Sequence, residues 1–371
     1  MKLIVLSLLA GVCMAGAAQA AGPETVSGPS ADAQCFVPWT AQTKFFKYAK
    51  KPGPYRIALA NGFIGNTWRI QMVKTAKAYA EQPEVKKELK EFKVVSTGED
   101  IAAQISAINN FIDSGYDAVV VDAQNPTAFK SVVRRAKQAG VVLVAFDNTI
   151  DTDEAINVNV DQEGLGKYWG DWLVKNLPNG GRILEVRGVA GTSVDNDRHK
   201  GIQDTLKASG KPFESVEVVG KWDDGTSQKV AADAIAVNNK FDGMTSQGGS
   251  TGMVRAFLDA GIPLVPAAAE TENGFRKLCL ANGDKGLKCA SGGTGPAQVA
   301  VAIKTALAAL HGEVVPQSIR LPLAHVEAPD FKAGDNTFPN QTDNFFVGNA
   351  FPTCGINFTA QEIMGQSEQS Q

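Results

Sequence analysis

The strongest constraint on the fold of this 371-residue chain is a regular alternation of two kinds of segment that begins near residue 55. Short apolar runs alternate with longer segments whose apolar residues recur at about one helical turn, as in Ile101, Ile105, Ile108 and Ile112. Strands that alternate with helices predict a parallel sheet covered by helices on both faces. The first half contains predicted strands at residues 56–60, 92–96, 118–122 and 141–147, and predicted helices at residues 67–80 and 126–139.

The same alternation resumes in the second half of the chain, where predicted helices end at Gly210 and Gly261. Two successive sets of βα units predict an α/β protein with two doubly wound, parallel-sheet lobes. Residues 21–54 and 331–371 are richer in Pro, Gly, Asn, Gln and Thr, and we interpret them as terminal extensions, packed on the lobes or partly mobile. The second set of predicted strands is residues 156–160, 183–186, 216–219, 243–246 and 263–267.

Residues 1–20 are predicted to be a secretory signal peptide. Lys2 precedes an apolar run over residues 3–12, and Ala18-Gln19-Ala20 has the pattern of a cleavage site, with cleavage after Ala20. The run is shorter than the roughly 20 residues that cross a bilayer. A lipoprotein anchored through Cys13 is the alternative, although the bulky residue before Cys13 suits that cleavage poorly. The mature chain is therefore expected to be exported.

Four cysteines remain after removal of the signal peptide, an even number in a compartment where disulfides persist. Four cysteines allow three pairings. We favour Cys279–Cys289, which closes a short loop, together with Cys35–Cys354, which joins the two terminal extensions. Four free thiols are the alternative. A zinc site is disfavoured because no CxxC pair occurs and the sequence has only 3 histidines, so neither a metal nor a cofactor is expected.

The charge balance gives no case for nucleic-acid binding. The chain has 36 Lys+Arg and 39 Asp+Glu, a formal charge of −3, and 44% of its residues are hydrophobic. Such a composition also excludes a disordered, highly charged chain. His199 has no evident acid–base partner in the sequence, and no nucleophile motif accompanies the serines.

Polar and aromatic residues follow the predicted strands in a repeated way. Ligands of open parallel sheets bind beyond the carboxyl ends of the strands, so these residues are the candidate binding site. Flat aromatic rings, bidentate arginines and carboxylates together suit a polyhydroxylated ligand, because rings cover its C–H faces while charged groups bond its hydroxyls. The candidates are Asn66, Trp68, Arg69, Asp122, Asp147, Asn148, Asn196, Arg198, Trp222, Gln247 and Glu270.

These residues resemble a known family. The segment Gly188-Val189-Ala190-Gly191-Thr192-Ser193, followed by Asn196, Arg198 and Gly201, is similar to that of the ribose-type sugar-binding proteins of bacterial ABC transporters. Asn66-Thr67-Trp68 and Asp147 also match. The resemblance covers roughly residues 55–328. It implies the type I periplasmic binding protein fold, with two lobes joined by a three-crossing hinge that closes on sugar in the cleft.

The resemblance also implies the division of the chain. The N-terminal lobe is expected at residues 55–161 plus about 294–320, and the C-terminal lobe at 162–293 plus about 321–330. Asn66, Trp68 and Arg69 fall on sugar contacts of the first lobe, as Asp147 does. Arg198 falls on the sugar-contacting arginine of the second lobe, with Asn196 near it, and Trp222 on an aromatic that covers the second sugar face.

Several positions depart from the family pattern, which makes ribose itself doubtful. Asn148 replaces the usual Arg, Gly248 replaces an Asn after Gln247, and Glu270 is a loose match to an Asp. Asp122 lies where the family often has Asn, and Thr294 lies about where a hinge-side Gln is usual. Two tryptophans in place of a Phe pair favour a pyranose or a larger polyol. Carboxylates sufficient to neutralise both arginines favour a neutral ligand.

The sequence therefore predicts a periplasmic solute-binding subunit, not an enzyme, that captures a sugar or polyol and delivers it to a membrane permease. A monomer is expected, and presentation to a chemoreceptor is compatible. The alternatives are an exported carbohydrate-active enzyme using Asp122 and Asp147, or a binding protein for an acidic sugar or signalling molecule. A regulatory domain of the lactose-repressor type is disfavoured by the signal peptide and by the lack of an N-terminal helix-turn-helix.

Overall fold

The computed structural model describes residues 22–238 and 240–369. The predicted signal peptide, its cleavage site at Ala20 and Cys13 lie outside the described residues. Within them, no helix is long and apolar enough to cross a membrane.

The described residues form seventeen strands and eleven α-helices. The strands are β1 (Glu24–Val26), β2 (Phe45–Lys47), β3 (Tyr55–Asn61), β4 (Leu89–Ser96), β5 (Ala118–Asp122), β6 (Val142–Phe146), β7 (Ile156–Val160), β8 (Gly181–Arg187), β9 (Phe213–Val219), β10 (Gly243–Ser246), β11 (Ala267–Ala269), β12 (Cys289–Gly293), β13 (Val314–Pro316), β14 (Ser318–Leu321), β15 (Ala324–Glu327), β16 (Ala350–Phe351) and β17 (Ile356–Asn357). The helices are α1 (Thr67–Ala80), α2 (Pro83–Lys86), α3 (Ile101–Asp113), α4 (Lys130–Ala139), α5 (Gln162–Asn176), α6 (Ser193–Ala208), α7 (Asp224–Asn238), α8 (Ser250–Asp259), α9 (Asn273–Asn282), α10 (Gln298–Leu310) and α11 (Ala360–Met364).

Two six-stranded sheets form the cores of two lobes, as the alternation predicts. The first has the order β14-β7-β6-β5-β3-β4 and is parallel throughout. The second has the order β15-β12-β11-β10-β8-β9 and is parallel except for the edge strand β15. Apolar clusters lie on both faces of each sheet, so the central strands are apolar along their whole length. The predicted fold class is confirmed.

The chain passes between the two sheets three times. It leaves the first sheet after β7, returns from β12 to α10, and leaves again from β14 to β15. The three connections follow β7, β12 and β14, which are strands at or next to an edge of their sheets. These three connections form the predicted hinge, and they bring the carboxyl ends of both sheets to the same cleft.

Two predicted elements are displaced. The helix expected over residues 126–139 begins only at Lys130, because the Asn125 side chain accepts hydrogen bonds from the backbone N–H groups of Thr127 and Ala128 and holds a turn there. The strand expected at residues 263–267 is β11, which begins four residues later, at Ala267. Pro263 and Pro266 lack the N–H groups that a central strand requires.

Both favoured disulfides are present. Cys35 is bonded to Cys354 across a sequence separation of 319 residues, and Cys279 is bonded to Cys289 across 10 residues. The N-terminal extension contributes β1 and β2 to a small antiparallel sheet with β13. The long-range disulfide therefore joins the extension that precedes the first lobe to the one that follows the second.

A buried acid–base pair lies between β8 and α6, contrary to the expectation that His199 has no partner. Nδ1 of His199 lies 2.9 Å from Oε1 of the fully buried Glu185, and Nε2 lies 3.8 Å from Oε2 of Glu217. The hydrogen bond with Glu185 raises the pKa of His199 above its ordinary value of 6.5, against the effects of burial and of Arg187. The folded protein thus holds the proton more tightly than the unfolded chain.

We expect this pair to stabilise the fold most in acid. Because the folded-state pKa is raised, the contribution is complete below pH 6.5 and disappears as pH rises through the folded-state value. The variant His199→Gln should therefore lose more unfolding free energy relative to wild type at pH 5.5 than at pH 9, as measured by urea denaturation. His325→Gln is the control, since that ring packs against Tyr168. An equal loss at both pH values would contradict the prediction.

Candidate functional site

A cavity lies between the lobes where the carboxyl ends of the two sheets face each other. Its empty volume is about 330 Å³, which includes the mouth that opens to solvent. All but one of its lining residues are buried, so the cleft is nearly closed. Its lining residues are Asn66, Trp68, Arg69, Asp147, Val194, Arg198, Trp222, Gln247, Gly248, Glu270, Thr294 and Phe346.

The structure brings nine of the twelve sequence-predicted ligand residues to this cavity. Of the other three, Asp122 and Asn148 are buried directly behind its wall. Asn196 is exposed and lies in an outer groove with Thr149 and Ser193. Because residues two apart on a helix point about 200° apart, Asn196 cannot share the cavity-facing side of α6 with Arg198.

The N-terminus of α1 supplies the first wall. The Asn66 side chain caps the helix by accepting from the backbone N–H of Arg69 at 2.8 Å, a standard helix-start arrangement. This cap places Trp68 in the first turn, where its indole Nε1 donates to the carbonyl of Thr294 at 2.7 Å. Thr294 belongs to the second hinge connection, so the Trp68 ring is held by both α1 and the hinge.

Arg69 is buried against the carboxylate of Asp122. Its Nη1 lies 2.6 Å from Oδ2 of Asp122 and donates to Oδ1 of Asn61 at 2.8 Å. Nδ2 of Asn148 in turn lies 3.1 Å from one oxygen of Asp122 and 3.1 Å from one of Asp147. Asn148, at the position of a usual Arg, therefore bridges two carboxyl groups.

Asp147 occupies a strained position at the end of β6. Its φ of 56° is in the left-handed region, which residues other than Gly uncommonly adopt, although Asn and Asp do so more often than most. Its Oδ1 accepts from Nε2 of Gln298 at 2.8 Å, and its backbone carbonyl accepts from Asn159 at 2.7 Å. Such strain persists only where surrounding contacts hold it, and it is common at ligand sites.

Arg198 organises the second wall. Nε donates to Gln162 at 2.8 Å, Nη1 donates to the carbonyl of Gln247 at 2.8 Å and lies 2.8 Å from Oε2 of Glu270, and Nη2 donates to Thr294 at 3.3 Å. A guanidinium has five N–H donors, so these contacts leave one donor on Nη2 for a ligand. The residue is 3% exposed. These contacts and its burial hold the guanidinium in place.

Trp222 lies in the cavity wall because two glycines leave space for its ring. A Cβ on Gly188 would lie 2.1 Å from the indole, and one on Gly248 would lie 2.9 Å from its Cδ1. Gly248 also has a φ of 152°, and Trp222 itself has a φ of 56°. The departure from Asn at position 248 thus has a steric reason, since an Asn side chain would collide with the ring.

The buried charges of the cavity nearly balance. Two guanidinium groups face the carboxyl groups of Asp122, Asp147 and Glu270. Burial is the main influence on these carboxyl groups and raises the pKa of each, and the arginines oppose this effect. If one carboxyl group retains its proton, the site carries no net charge.

Two buried polar atoms of the cavity-lining side chains have no hydrogen-bond partner among the described residues. They are Oε1 of Gln247 and Nε1 of Trp222. Buried polar groups in folded proteins are nearly always paired, so an unpaired acceptor and an unpaired donor in one wall are candidates for bonds with a ligand. A hydroxyl group can satisfy either of them.

Sequence reasoning missed three residues that line the cavity, and also Gln298, which does not line it but contacts Asp147. Val194 and Gly248 adjoin predicted contacts. Gln298 lies four residues after Thr294, where the resemblance places a hinge-side Gln, and its amide contacts Asp147. Phe346 comes from the C-terminal extension, for which no strand-end rule or family motif gives a signal.

A second group of potential metal ligands lies outside the cleft. Ligand atoms of Glu185, His199 and Glu217 lie within 4.8 Å of one another. Gln203 donates to Glu185 at 2.6 Å, and Arg187 donates to Glu217 at 3.0 Å. These carboxylates already have partners in the protein.

Two α/β lobes, three connections and a polar cavity at the facing strand ends define a two-lobed ligand-binding protein of the periplasmic type. The chain belongs to the family described as periplasmic binding protein domain, whose model matches residues 57–313. These residues include the cavity-lining residues listed above except Phe346.

Curated relatives match part of the chain. The D-ribose/D-allose-binding protein of Pseudomonas aeruginosa is 30% identical over 196 residues, which is 50% of this chain and 60% of that protein. The D-xylose-binding periplasmic protein of Escherichia coli is 32% identical over 174 residues, 43% of this chain and 50% of that protein. The chain thus spans between half and two thirds of the length of these relatives.

Solved structures share the fold over a larger part of the chain. The structure of an ABC transporter solute binding protein from Thermobispora bispora superposes with a TM-score of 0.69 and 27% sequence identity. That alignment covers 74% of this chain and 86% of the other.

Proposed function

We propose that this protein is the periplasmic solute-binding subunit of an ABC importer, and that it captures a neutral monosaccharide or polyol in the interlobe cavity. The observation that carries the proposal is the cavity itself. It combines two tryptophans, two arginines paired with carboxylates, and unpaired polar atoms in a nearly closed cleft. Related proteins of the family carry names that specify ribose, allose and xylose.

The charge of the cavity supports a neutral ligand. Two arginines face three carboxyl groups, so no unneutralised cation is left to attract an anionic sugar. An acidic sugar would add charge to a desolvated site, at a high energetic cost.

Binding without turnover is part of the proposal. Asp122, one of the two carboxylates considered for acid–base catalysis, lies behind the cavity wall and pairs with Arg69. Asp147 accepts from Gln298, and Glu270 accepts from Thr271 and pairs with Arg198. Carboxylates engaged in this way suit the orientation of ligand hydroxyls.

Delivery to the permease would follow from hinge closure around the bound ligand. We further propose that the chain is exported to the periplasm with its signal peptide removed after Ala20, acts as a monomer, and can also present its ligand to a chemoreceptor. N-terminal sequencing of the exported protein tests the cleavage site.

A panel of sugars tests the proposed function. Thermal melting of the purified protein should shift upward with one or more of D-ribose, D-allose, D-xylose, D-fucose, L-arabinose and xylitol, and not with D-glucuronate. Ligand at 100 times its Kd adds about 2.7 kcal/mol to the free energy of unfolding. Calorimetric titration then gives Kd, and chromatography of the recovered ligand should show it unchanged. A panel without any shift contradicts the proposal, and release of a reducing end from glycosides would favour the enzyme.

A further inference from the structure

The C-terminal segment, residues 331–369, crosses between the lobes beside the ligand cavity. It begins on the second lobe, where Phe331 is buried in the core. There the Asn273 side chain donates a hydrogen bond to the carbonyl of Phe338 and accepts one from its N–H. It ends on the first lobe, where Phe351 and Ile363 are buried in that lobe's core. The segment therefore makes a fourth connection in addition to the three of the hinge.

The crossing point is held from both sides. Residues 345–347 pair with the chain that follows Glu270, since the backbone N–H of Asn273 donates to Phe345 and that of Val347 donates to Thr271, each at 2.9 Å. From the first lobe, the Gln71 amide accepts from the N–H of Phe346 at 2.9 Å and donates to its carbonyl at 3.0 Å.

Gln71 is one turn beyond the helix start that carries Trp68 and Arg69. The two hydrogen bonds between Gln71 and the backbone of Phe346 thus connect the segment directly to α1, the helix that supplies the first wall of the cavity. Close packing continues at the hinge, where a Cβ on Gly295 would lie 1.8 Å from the carbonyl oxygen of Gly348. Phe346 is consequently fixed between α1, the hinge and the second lobe.

We propose that Phe346 is a specificity-determining residue that closes one end of the ligand cavity and limits the size of the ligand. Phe346 lines the cavity, is 2% exposed and also packs in the apolar core of the first lobe. An aromatic ring at this place offers a flat apolar surface to a sugar C–H face and leaves no space for a substituent in its direction. The inference rests on the proposed function and extends it, because Phe346 lies beyond the residues 57–313 matched by the family model.

The test compares Phe346→Ala with wild type by calorimetric titration. The probes are D-ribose, D-allose and D-xylose, each with its methyl α- and β-glycosides. Wild type should bind at least one parent sugar and bind one of its methyl glycosides at least about tenfold more weakly. The variant should bind the parent sugar about tenfold more weakly because it loses the ring contact, and its ratio of glycoside Kd to parent Kd should fall to below about threefold.

Phe351→Ala is the matched control, since Phe351 belongs to the same segment but is buried in the first-lobe core away from the cavity. Phe346→Leu is a second variant that keeps the site apolar if Phe346→Ala folds poorly. A loss of stability alone does not change the ratio of two Kd values. The inference is overturned if Phe346→Leu and Phe346→Ala keep the wild-type ratio, if Phe351→Ala changes it equally, or if wild type binds parent and glycosides alike. Wild type that binds none of the three parent sugars would also overturn this inference, whereas the proposed function is contradicted only if the whole panel of sugars gives no shift.

Discussion

Arg198→Lys should weaken sugar binding by about 10- to 100-fold. The guanidinium contacts Gln162, Gln247, Thr294 and Glu270 at once, and its remaining donor is the one left for ligand. A lysine ammonium is a single point of charge and cannot bond all these partners, so ligand loses a charged hydrogen bond worth about 1.5–3 kcal/mol and the wall loses its order. Calorimetric titration with the best-binding sugar measures the effect.

The same substitution should lower the free energy of unfolding by about 1–3 kcal/mol, because buried acceptors lose their partners. Lysine is chosen instead of alanine because it keeps a cation beside the buried Glu270. An alanine would leave the Glu270 carboxylate without a charged partner, at a cost of about 3–5 kcal/mol. The control is Arg320→Lys, whose guanidinium pairs with Asp161 at the surface and should change neither quantity appreciably. Affinity within threefold of wild type for Arg198→Lys would show that the ligand binds elsewhere.

Removal of the long-range disulfide should strongly destabilise the fold. The chain-entropy relation gives about 6 kcal/mol for a cross-link across 319 residues and about 3 kcal/mol for one across 10. We therefore expect Cys35→Ala/Cys354→Ala to lose about twice as much unfolding free energy as Cys279→Ala/Cys289→Ala in urea denaturation.

The second double variant is a close control, because all four cysteines are almost fully buried and each change removes the same atoms. An equal loss in both variants would mean that local packing, and not the restriction of the unfolded chain, determines the effect. Sugar binding gives a further readout. The terminal disulfide anchors the segment that carries Phe346, so its loss should also weaken binding of the parent sugar, whereas loss of the short-loop disulfide should not.

The fold could be predicted in detail because its signals are local. Central parallel strands are continuously apolar, and helices on their faces have a regular apolar period, so both leave a pattern in the sequence. The errors were local as well. The Asn125 turn delays α4 to Lys130, and two prolines displace β11, since hydrogen bonding by a single side chain or a missing N–H outweighs the apolar pattern.

The binding site could be predicted where it depends on strand ends. Residues such as Asp147 and Arg198 follow strands whose carboxyl ends meet in the cleft. Asn196 was assigned to the cavity although the helical period turns it away, and the distinction requires the direction of each side chain. Phe346 could not be predicted, because contact between position 346 and α1 depends on how a long extension with little regular structure crosses both lobes.

The bond between Cys35 and Cys354 also determines how this protein would carry mechanical load. A pulling force applied to residues 22 and 369 follows the shortest covalent path, which passes from one sulfur atom directly to the other. Tension can therefore straighten the short end segments but does not reach either sheet or the hinge. In the reduced protein the same force would act on both lobes in series, so a single redox event changes the load-bearing element from one covalent bond to the whole fold.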